Sequence, residues 1–163
     1  MKYDMIHLEK LTYENADDVF ELEVKKEQYP FVANNIYSVA QAYVTLINGG
    51  KVFPFVICND EDLVGFIQLA YGENADQDGV SMEKDSYEIW RFMIDKRYQG
   101  RGYGREALRQ AIEFIRTFPC GKAELCWISY EPENEAAKKL YASFGFEETG
   151  EMCGDEIVAV LKL

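Results

Sequence analysis

The chain has 163 residues, of which 48% are hydrophobic and 28% charged, which fits one folded globular domain and excludes a disordered chain. Its formal net charge of −12, from 17 Lys and Arg against 29 Asp and Glu, argues against a nucleic-acid partner, since phosphates require a basic face. No run approaches the roughly 18 consecutive apolar residues of a membrane helix, and the N-terminal segment MKYDMIHLEKL lacks the apolar region of a signal peptide. We therefore expect one cytoplasmic domain over residues 1–163, with no membrane partner.

The content of metal-binding residues predicts no metal site. The sequence contains one histidine, His7, and four cysteines outside any Cys-x-x-Cys pair: Cys58, Cys120, Cys126 and Cys153. These spacings do not give a zinc set of the usual kind. Buried cysteine commonly packs as a small hydrophobe, so we expect reduced structural thiols and no metal cofactor.

Hydrophobic periodicity in the first half of the chain predicts two helices among strands. Ser38 is a candidate contributor to the start of the second helix. In chain order we expect a strand over 4–9, a helix over 13–26, a break at Tyr29-Pro30, a helix over 37–47 stopped by Asn48-Gly49-Gly50, strands over 52–58 and 63–71 joined by a turn, and an exposed loop over 72–86.

The second half alternates strands and helices before a final hairpin. We expect a strand over 87–94, an amphipathic helix over 104–118, a strand over 123–130, a helix over 134–144 ended by Gly145, and strands over 146–152 and 156–163. The order β-α-α-β-β-β-α-β-α-β-β mixes hairpins with a crossover. It predicts an α/β fold with a mixed sheet of about seven strands flanked by about four helices.

A loop rich in glycine and arginine follows the strand over 87–94. It contains Gly100, Gly102 and Gly104, and near them Arg97, Arg101 and Arg105. Glycine lets the backbone adopt positive φ and approach a ligand closely. The free N–H groups of the next helix, together with its dipole, form an anion site. A pyrophosphate is the occupant that this pattern favours.

Two common phosphate-binding motifs do not match this loop. A P-loop ends in Gly-Lys-Ser/Thr, which does not occur here. The Rossmann motif G-x-G-x-x-G is one residue longer than the G-x-G-x-G of Gly100–Gly104, and this loop lies mid-chain after hairpins. A glycine-rich turn without a ligand is the remaining alternative, although turns rarely need three glycines and three arginines together.

Two separated segments resemble the GNAT family of N-acetyltransferases. Residues 99–104, QGRGYG, are similar to the signature Q/R-x-x-G-x-G/A, and residues 134–146, NEAAKKLYASFGF, resemble N-x-x-A-x-x-L-Y-x-x-x-G-F. The order and spacing of the segments, and the order of elements, agree with the family over essentially the whole chain. The resemblance implies the GNAT fold and an acetyl-CoA-dependent transfer of an acetyl group to an amine.

The resemblance also implies where the co-substrate acetyl-CoA is held. Backbone groups of Phe92, Met93 and Ile94 would align the pantetheine arm like an added strand. Asn134 would contact the pantetheine or the thiol end, and Ala137 is a further expected contact. The pyrophosphate would be held by Gln99, Gly100, Arg101, Gly102, Tyr103, Gly104 and Arg105.

Acetyl transfer needs a proton acceptor for the amine and a proton donor for the sulfur. An alkyl ammonium group has a pKa near 10, so a base or a water chain must take its proton. Glu88 is the candidate base, with a solvated or salt-bridged surface carboxylate as the alternative. The resemblance makes Tyr141 the general acid, with a core tyrosine as the alternative. We expect direct transfer in a ternary complex.

Within the family, residues 28–43, residues 91–102 and the C-terminal hairpin look most like the bacterial spermine/spermidine acetyltransferases. Polyamine acetylases of this type often have an acidic residue where Trp90 stands, so the identity of the base stays open. Glu88, two residues away, shares a face with Trp90 on a regular strand and could substitute.

A polycationic amine needs carboxylates and an aromatic face, and the expected substrate contacts are Glu27, Glu88 and Trp127. Glu23 and Glu27 would share a helix face, with an ordinary solvated surface as the alternative. Acetylation of a protein N-terminus or lysine, and a non-catalytic acetyl-CoA sensor, remain the competing functions. Family members often form dimers, so a homodimer is also expected.

Overall fold

The computed structural model describes residues 5–73 and 80–163. Within these ranges the chain forms seven strands and four α-helices, which confirms the predicted class. The elements are β1 (Ile6–Lys10), α1 (Ala16–Glu21), α2 (Asn35–Ile47), β2 (Lys51–Asn59), β3 (Asp62–Tyr71), β4 (Tyr87–Ile94), α3 (Tyr103–Ile115), β5 (Leu125–Tyr130), α4 (Glu135–Ser143), β6 (Glu147–Cys153) and β7 (Glu156–Lys162), with short 3-10 turns at Lys26–Phe31 and Glu83–Asp85.

The strands form one mixed sheet in the order β1-β2-β3-β4-β5-β7-β6. β4 and β5 are parallel, and their ladder consists of two pairs, Tyr87 with Cys126 and Glu88 with Trp127. The other neighbouring strands are antiparallel. Because the β4–β5 pairing stops after two positions, the two strands diverge toward their carboxyl ends and leave a gap between them.

A β-bulge at Trp90 changes the alternation of faces along β4. Gln68 of β3 lies opposite Arg91 and Leu69 lies opposite Ile89, so Trp90 is the extra residue. Ile89 and Phe92 both contact the main core although they are three positions apart. Before the bulge the strand alternates regularly, so Glu88 lies on the face opposite Ile89, as does Trp90.

Apolar side chains cover both faces of the sheet. The predicted stripe of the helix over 104–118 is confirmed, since the apolar side of α3 is buried against the strands. A second cluster, which includes Val19 and Leu22, covers the other face of β2 and β3. No described helix has both the length and the apolar character needed to cross a bilayer.

The expected helix over 13–26 is too long, because α1 ends at Glu21. The next four residues alternate between buried Leu22 and Val24 and exposed Glu23 and Lys25, which is the pattern of an extended segment. The N–H of Glu23 donates to the Asp95 carboxylate at 3.0 Å instead of to a helical carbonyl. Tertiary hydrogen bonding thus overrode local helix periodicity.

The start of the second helix is also corrected. Asn34, and not Ser38, caps α2, because its Oδ1 accepts from the N–H of Tyr37 at 2.8 Å. The Ser38 hydroxyl instead donates to the carbonyl of Asn34 at 3.0 Å, inside the first turn. The expected break at Pro30 lies within the 3-10 turn Lys26–Phe31.

Two further expectations concern the loop over 72–86 and the cysteines. Residues 74–79 lie outside the described residues. The described part of the loop is not uniformly exposed, since Val80 and Ser86 are buried. The four cysteines, all within the described part of the chain, form no disulfide there.

Candidate active site

A cleft of about 760 Å³ lies where β4 and β5 diverge. One wall is β4 from Glu88 to Ile94, and the facing wall is the end of β5, from 128 to 131. The rest of the lining comes from the loop after β4 with the start of α3, from one side of α4 between Asn134 and Tyr141, from residues 30–33 and from the β6–β7 turn. The sheet geometry therefore opens the site between the two motifs that the sequence analysis singled out.

The loop after β4 is anchored by Asp95, which is almost completely buried. Its Oδ1 accepts from the backbone N–H and from Nε of Arg97, at 2.9 and 2.8 Å, and its Oδ2 accepts from the N–H of Glu23. Burial by itself would raise the pKa of Asp95, but the hydrogen bonds from Arg97 and Glu23 lower it. Asp95 is therefore ionised. Arg97 forms an ion pair with it inside the loop and does not line the cleft.

Gln99 fastens the same loop to two neighbours. Its Nε2 donates to the carbonyl of Ile94 and to Oε1 of Gln28, both at 2.9 Å, and Nε2 of Gln28 donates back at 3.3 Å. Both glutamine side chains line the cleft. Gln99 thus shapes the site by holding the loop against β4 and the segment that contains Gln28.

The start of α3 faces the cleft with its backbone. Gly102 is the N-terminal cap with φ +81°, and Gly100 has φ +78°, a region that residues with a side chain rarely adopt. Gly100, Gly102, Tyr103 and Gly104 line the cleft. Because the first N–H groups of a helix have no acceptor within it, they and the helix dipole are available to an anion in the cleft.

Arg101 and Arg105 do not line the cleft. Arg101 lies over the ring of Tyr98, 5.6 Å from its centroid, and donates to the carbonyl of Arg97. Arg105 donates to the hydroxyl of Ser143 at 2.9 Å. Their positive charges lie beside the helix start, whereas direct contacts of both side chains with a pyrophosphate were expected from the sequence.

The helix α4 brings Asn134, Ala137 and Tyr141 to the cleft, as the second motif predicts. Asn134 caps the helix, and its Oδ1 accepts from the N–H of Ala137 at 3.3 Å. Tyr141 is 6% exposed and its ring lies 5.7 Å from that of Tyr130. Burial, with Tyr130 and Glu156 nearby, raises the pKa of Tyr141, so its phenol is protonated at neutral pH.

Among the residues that the structure describes, four with carboxyl groups line the cleft, and only Glu88 of these was expected from the sequence. Glu88 is 3% exposed. Glu131, Asp155 and Glu156 are additional. Tyr130 pairs with Ile157 across β5 and β7, so Glu131 and Glu156 occupy the next position at that edge. The sequence gives both strand ends, but it does not reveal that β5 and β7 are neighbours.

Glu131 has an unusual environment. Burial, with the charges of Glu156 and Glu133, raises its pKa to about 7. Its Oε2 is buried and has no hydrogen-bond partner within the described part of the chain. The hydroxyl of Ser129 donates to Glu156. Two neighbouring carboxyl groups in a partly enclosed space favour a bound cation.

Two expected substrate contacts lie away from the cleft lining. Trp127 has no exposed surface and packs with Val80 and Val158, so we withdraw it as a substrate contact. Glu27 is exposed, next to the cleft-lining Gln28. The expected shared helix face of Glu23 and Glu27 does not exist, because α1 ends before both residues.

The sequence matches the Acetyltransferase (GNAT) family over residues 10–146. The chain belongs to this family. It is 26% identical over 149 residues to the spermine/spermidine N(1)-acetyltransferase of Bacillus subtilis (strain 168). These residues cover 90% of this chain and 91% of the relative. The resemblance drawn from the two motifs is thereby confirmed, and the protein is an N-acetyltransferase.

Solved structures show the same fold. Aminoglycoside acetyltransferase AAC(6')-Ib in complex with coenzyme A superposes with a TM-score of 0.76 at 16% identity, over 97% of this chain and 95% of that chain. Spermidine N-acetyltransferase from Vibrio cholerae, in complex with CoA and spermine, gives 0.69 at 18% identity, over 96% and 95% of the two chains.

Proposed function

We propose that this GNAT enzyme transfers the acetyl group of acetyl-CoA to a primary amine of a small polycation such as spermidine or spermine. The observation that carries the proposal is the composition of the cleft. An anion-binding helix start forms one part of its lining, and four carboxyl residues form another. An anionic thioester and a cationic amine therefore each find the opposite charge within a single site.

The cleft fits the parts of acetyl-CoA. The backbone N–H groups around Gly102 to Gly104 suit the diphosphate, and Gln99 holds that loop in place. The cleft-lining stretch from Phe92 to Ile94 lies where β4 has no partner in β5, so its backbone could pair with the pantetheine arm. The presence of coenzyme A in both structural neighbours supports this assignment.

The ammonium nitrogen must lose two protons and the sulfur must gain one, and the cleft contains a base for the first loss and an acid for the gain. We assign Glu88 to accept the proton that the ammonium group loses, which frees the nitrogen lone pair to attack the thioester carbonyl. A bond from nitrogen to the carbonyl carbon forms, the bond from carbon to sulfur breaks, and the nitrogen releases its second proton to water as the amide forms. Tyr141, whose phenol is protonated, then donates its proton to the leaving sulfur.

The charge of the cleft favours a small polycation over the competing substrates. Several carboxylates can each meet one ammonium group of a polyamine, and Glu27 is proposed as an outer contact next to Gln28. The similarity to a spermine/spermidine acetyltransferase over nine-tenths of the chain supports the same class. A protein or peptide substrate and a non-catalytic sensor remain alternatives that the experiment distinguishes.

The test is acetyl-CoA turnover, followed as release of free thiol, with a panel of amines. We expect spermidine and spermine to stimulate release more than monoamines, amino acids or peptides. Tyr141→Phe should keep acetyl-CoA binding and lose about 100-fold or more in turnover, because general acid catalysis contributes on this scale. Tyr87→Phe, a buried tyrosine outside the cleft lining, is the matched control.

Three outcomes contradict the proposal. Preferred acetylation of a peptide would move the enzyme to the protein class, and acetyl-CoA binding without release for any amine would indicate a sensor. Ping-pong kinetics with an acetyl group trapped on Cys153, which lines the cleft, would exclude direct transfer.

A further inference from the structure

A group of three potential metal ligands lies on the outer part of the sheet, away from the cleft. His7 and Glu9 are two residues apart on β1, so their side chains share a face. Cys58 of β2 lies directly opposite His7 in the antiparallel register. The ligand atoms of these three side chains all lie within 4.8 Å of one another. The pairing of β1 with β2 creates this group from residues far apart in the sequence.

The histidine ring is oriented by the backbone. Nδ1 of His7 lies 3.3 Å from the carbonyl oxygen of Met5, and Nε2 lies 2.8 Å from Oε1 of Glu9. When Nδ1 donates to a carbonyl, the lone pair is on Nε2, the nitrogen that faces Glu9. Metal-binding histidines commonly have this second hydrogen bond, which fixes both the tautomer and the ring plane.

The charge around the group also favours a cation. Asp60, at the turn after β2, lies close enough to act on His7 together with Glu9. The thiol of Cys58 lies under the exposed pair, among Val19, Val56 and other apolar residues. An ion pair between His7 and Glu9 would not need the Cys58 thiol. A zinc site would use all three side chains, because zinc binds imidazole nitrogen, thiolate sulfur and carboxylate oxygen.

We propose that Nε2 of His7, a carboxylate oxygen of Glu9 and Sγ of Cys58 bind one zinc ion, with water at the fourth position. Bond lengths of about 2.0 to 2.3 Å place the ligand atoms of a tetrahedral zinc site about 3.3 to 3.8 Å apart. The side chains of His7 and Glu9 are 38% and 50% exposed and can close the remaining distance. As the bond from sulfur to zinc forms, the thiol proton passes to solvent.

The site has a structural role in this proposal. Among the described strands, β1 lies at the edge of the sheet and pairs with β2 only. A metal that bridges His7 and Glu9 to Cys58 links this edge to the interior of the sheet. Since it binds the folded chain and not the unfolded one, it raises the unfolding temperature. The site is independent of acetyl transfer, so its test does not depend on the proposed function.

The experiment titrates the metal-free enzyme with Co²⁺ as a spectroscopic substitute and then displaces it with Zn²⁺. We expect one equivalent to bind, with a near-ultraviolet thiolate-to-cobalt absorption, and Zn²⁺ to raise the unfolding temperature by a few degrees. Cys58→Ser should abolish the absorption. His7→Gln and Glu9→Gln, at partly exposed positions, should each weaken binding about tenfold or more. Cys126→Ser, a buried thiol outside the group, is the matched control.

Some results would overturn the proposal. They are the absence of thiolate-to-cobalt absorption at stoichiometric metal, an absorption that survives in Cys58→Ser, or affinity unchanged in both His7→Gln and Glu9→Gln. If Cys58→Ser does not fold, the two variants on β1 still decide the question. Loss of the absorption in Cys126→Ser but not in the variants of His7 and Glu9 would place the metal elsewhere.

Discussion

At the scale of single residues, the Glu131 carboxyl group links cleft structure to pH dependence. Burial and the neighbouring Glu156 and Glu133 raise its pKa to about 7, so it gains its charge between about pH 6 and about pH 8. We expect KM for spermidine to fall several-fold over this range, because only the ionised carboxyl attracts an ammonium group. Glu131→Gln should remove most of this change, as measured by steady-state kinetics, and a monoamine should show less of it.

The same shift affects stability, with a definite sign. A carboxyl whose pKa is raised from about 4.5 to about 7 on folding binds more protons in the folded than in the unfolded chain between these values. The free energy of unfolding therefore falls as pH rises through that window. Glu131→Gln should therefore increase the free energy of unfolding, relative to the wild type, more at about pH 8 than at about pH 5. Glu124→Gln, at an exposed position directly before β5, is the control. A profile of KM against pH that is unchanged in Glu131→Gln would contradict this assignment.

At the scale of elements, the start of α3 is the feature on which acetyl-CoA binding depends. Gly102→Glu adds a side chain at φ +81° and a negative charge beside the proposed diphosphate site. We expect the acetyl-CoA dissociation constant to rise about tenfold to a hundredfold, which corresponds to one or two lost charge-assisted hydrogen bonds. Isothermal titration calorimetry measures this effect.

Gly150 provides the matched control for that substitution. It has φ +83° in the C-terminal hairpin and does not line the cleft. Gly150→Glu therefore imposes the same backbone strain and the same charge away from the site. Comparable loss of acetyl-CoA affinity in both variants would show that instability, and not the anion site, explains the result.

Elements differ in how far local sequence determined them. The strand over 87–94 is predicted with its observed bounds because it is a run rich in apolar and aromatic residues that ends before the glycine–arginine loop. The buried stripe of α3 is predicted because its apolar residues recur with a helical period. The helix over 13–26 is wrong beyond Glu21, because Asp95 accepts from the N–H of Glu23 and makes the extended form preferable. Propensity is a weak prior that such tertiary hydrogen bonds override.

At the scale of the whole molecule, a net charge of −12 should attract a cationic substrate and raise its concentration near the enzyme. The screening length falls from about 10 Å at 0.1 M salt to about 3 Å at 1 M. We therefore expect KM for spermidine to rise several-fold over this range, and that for a monoamine to rise less. Kinetics at fixed pH with an inert salt measures the effect, and equal responses of the two amines would contradict it.

The sequence by itself determined the fold class, the order of elements and both cofactor motifs, because periodicity, glycines and short signatures are local properties of the chain. Gly102, Asn134 and Tyr141 were accordingly found in advance and line one cleft. Only the tertiary structure decided which strands are neighbours. Residues that strand pairing brings together therefore could not be read from the sequence: the Glu131–Glu156 edge, the enclosure of Trp127, and the meeting of His7 with Cys58.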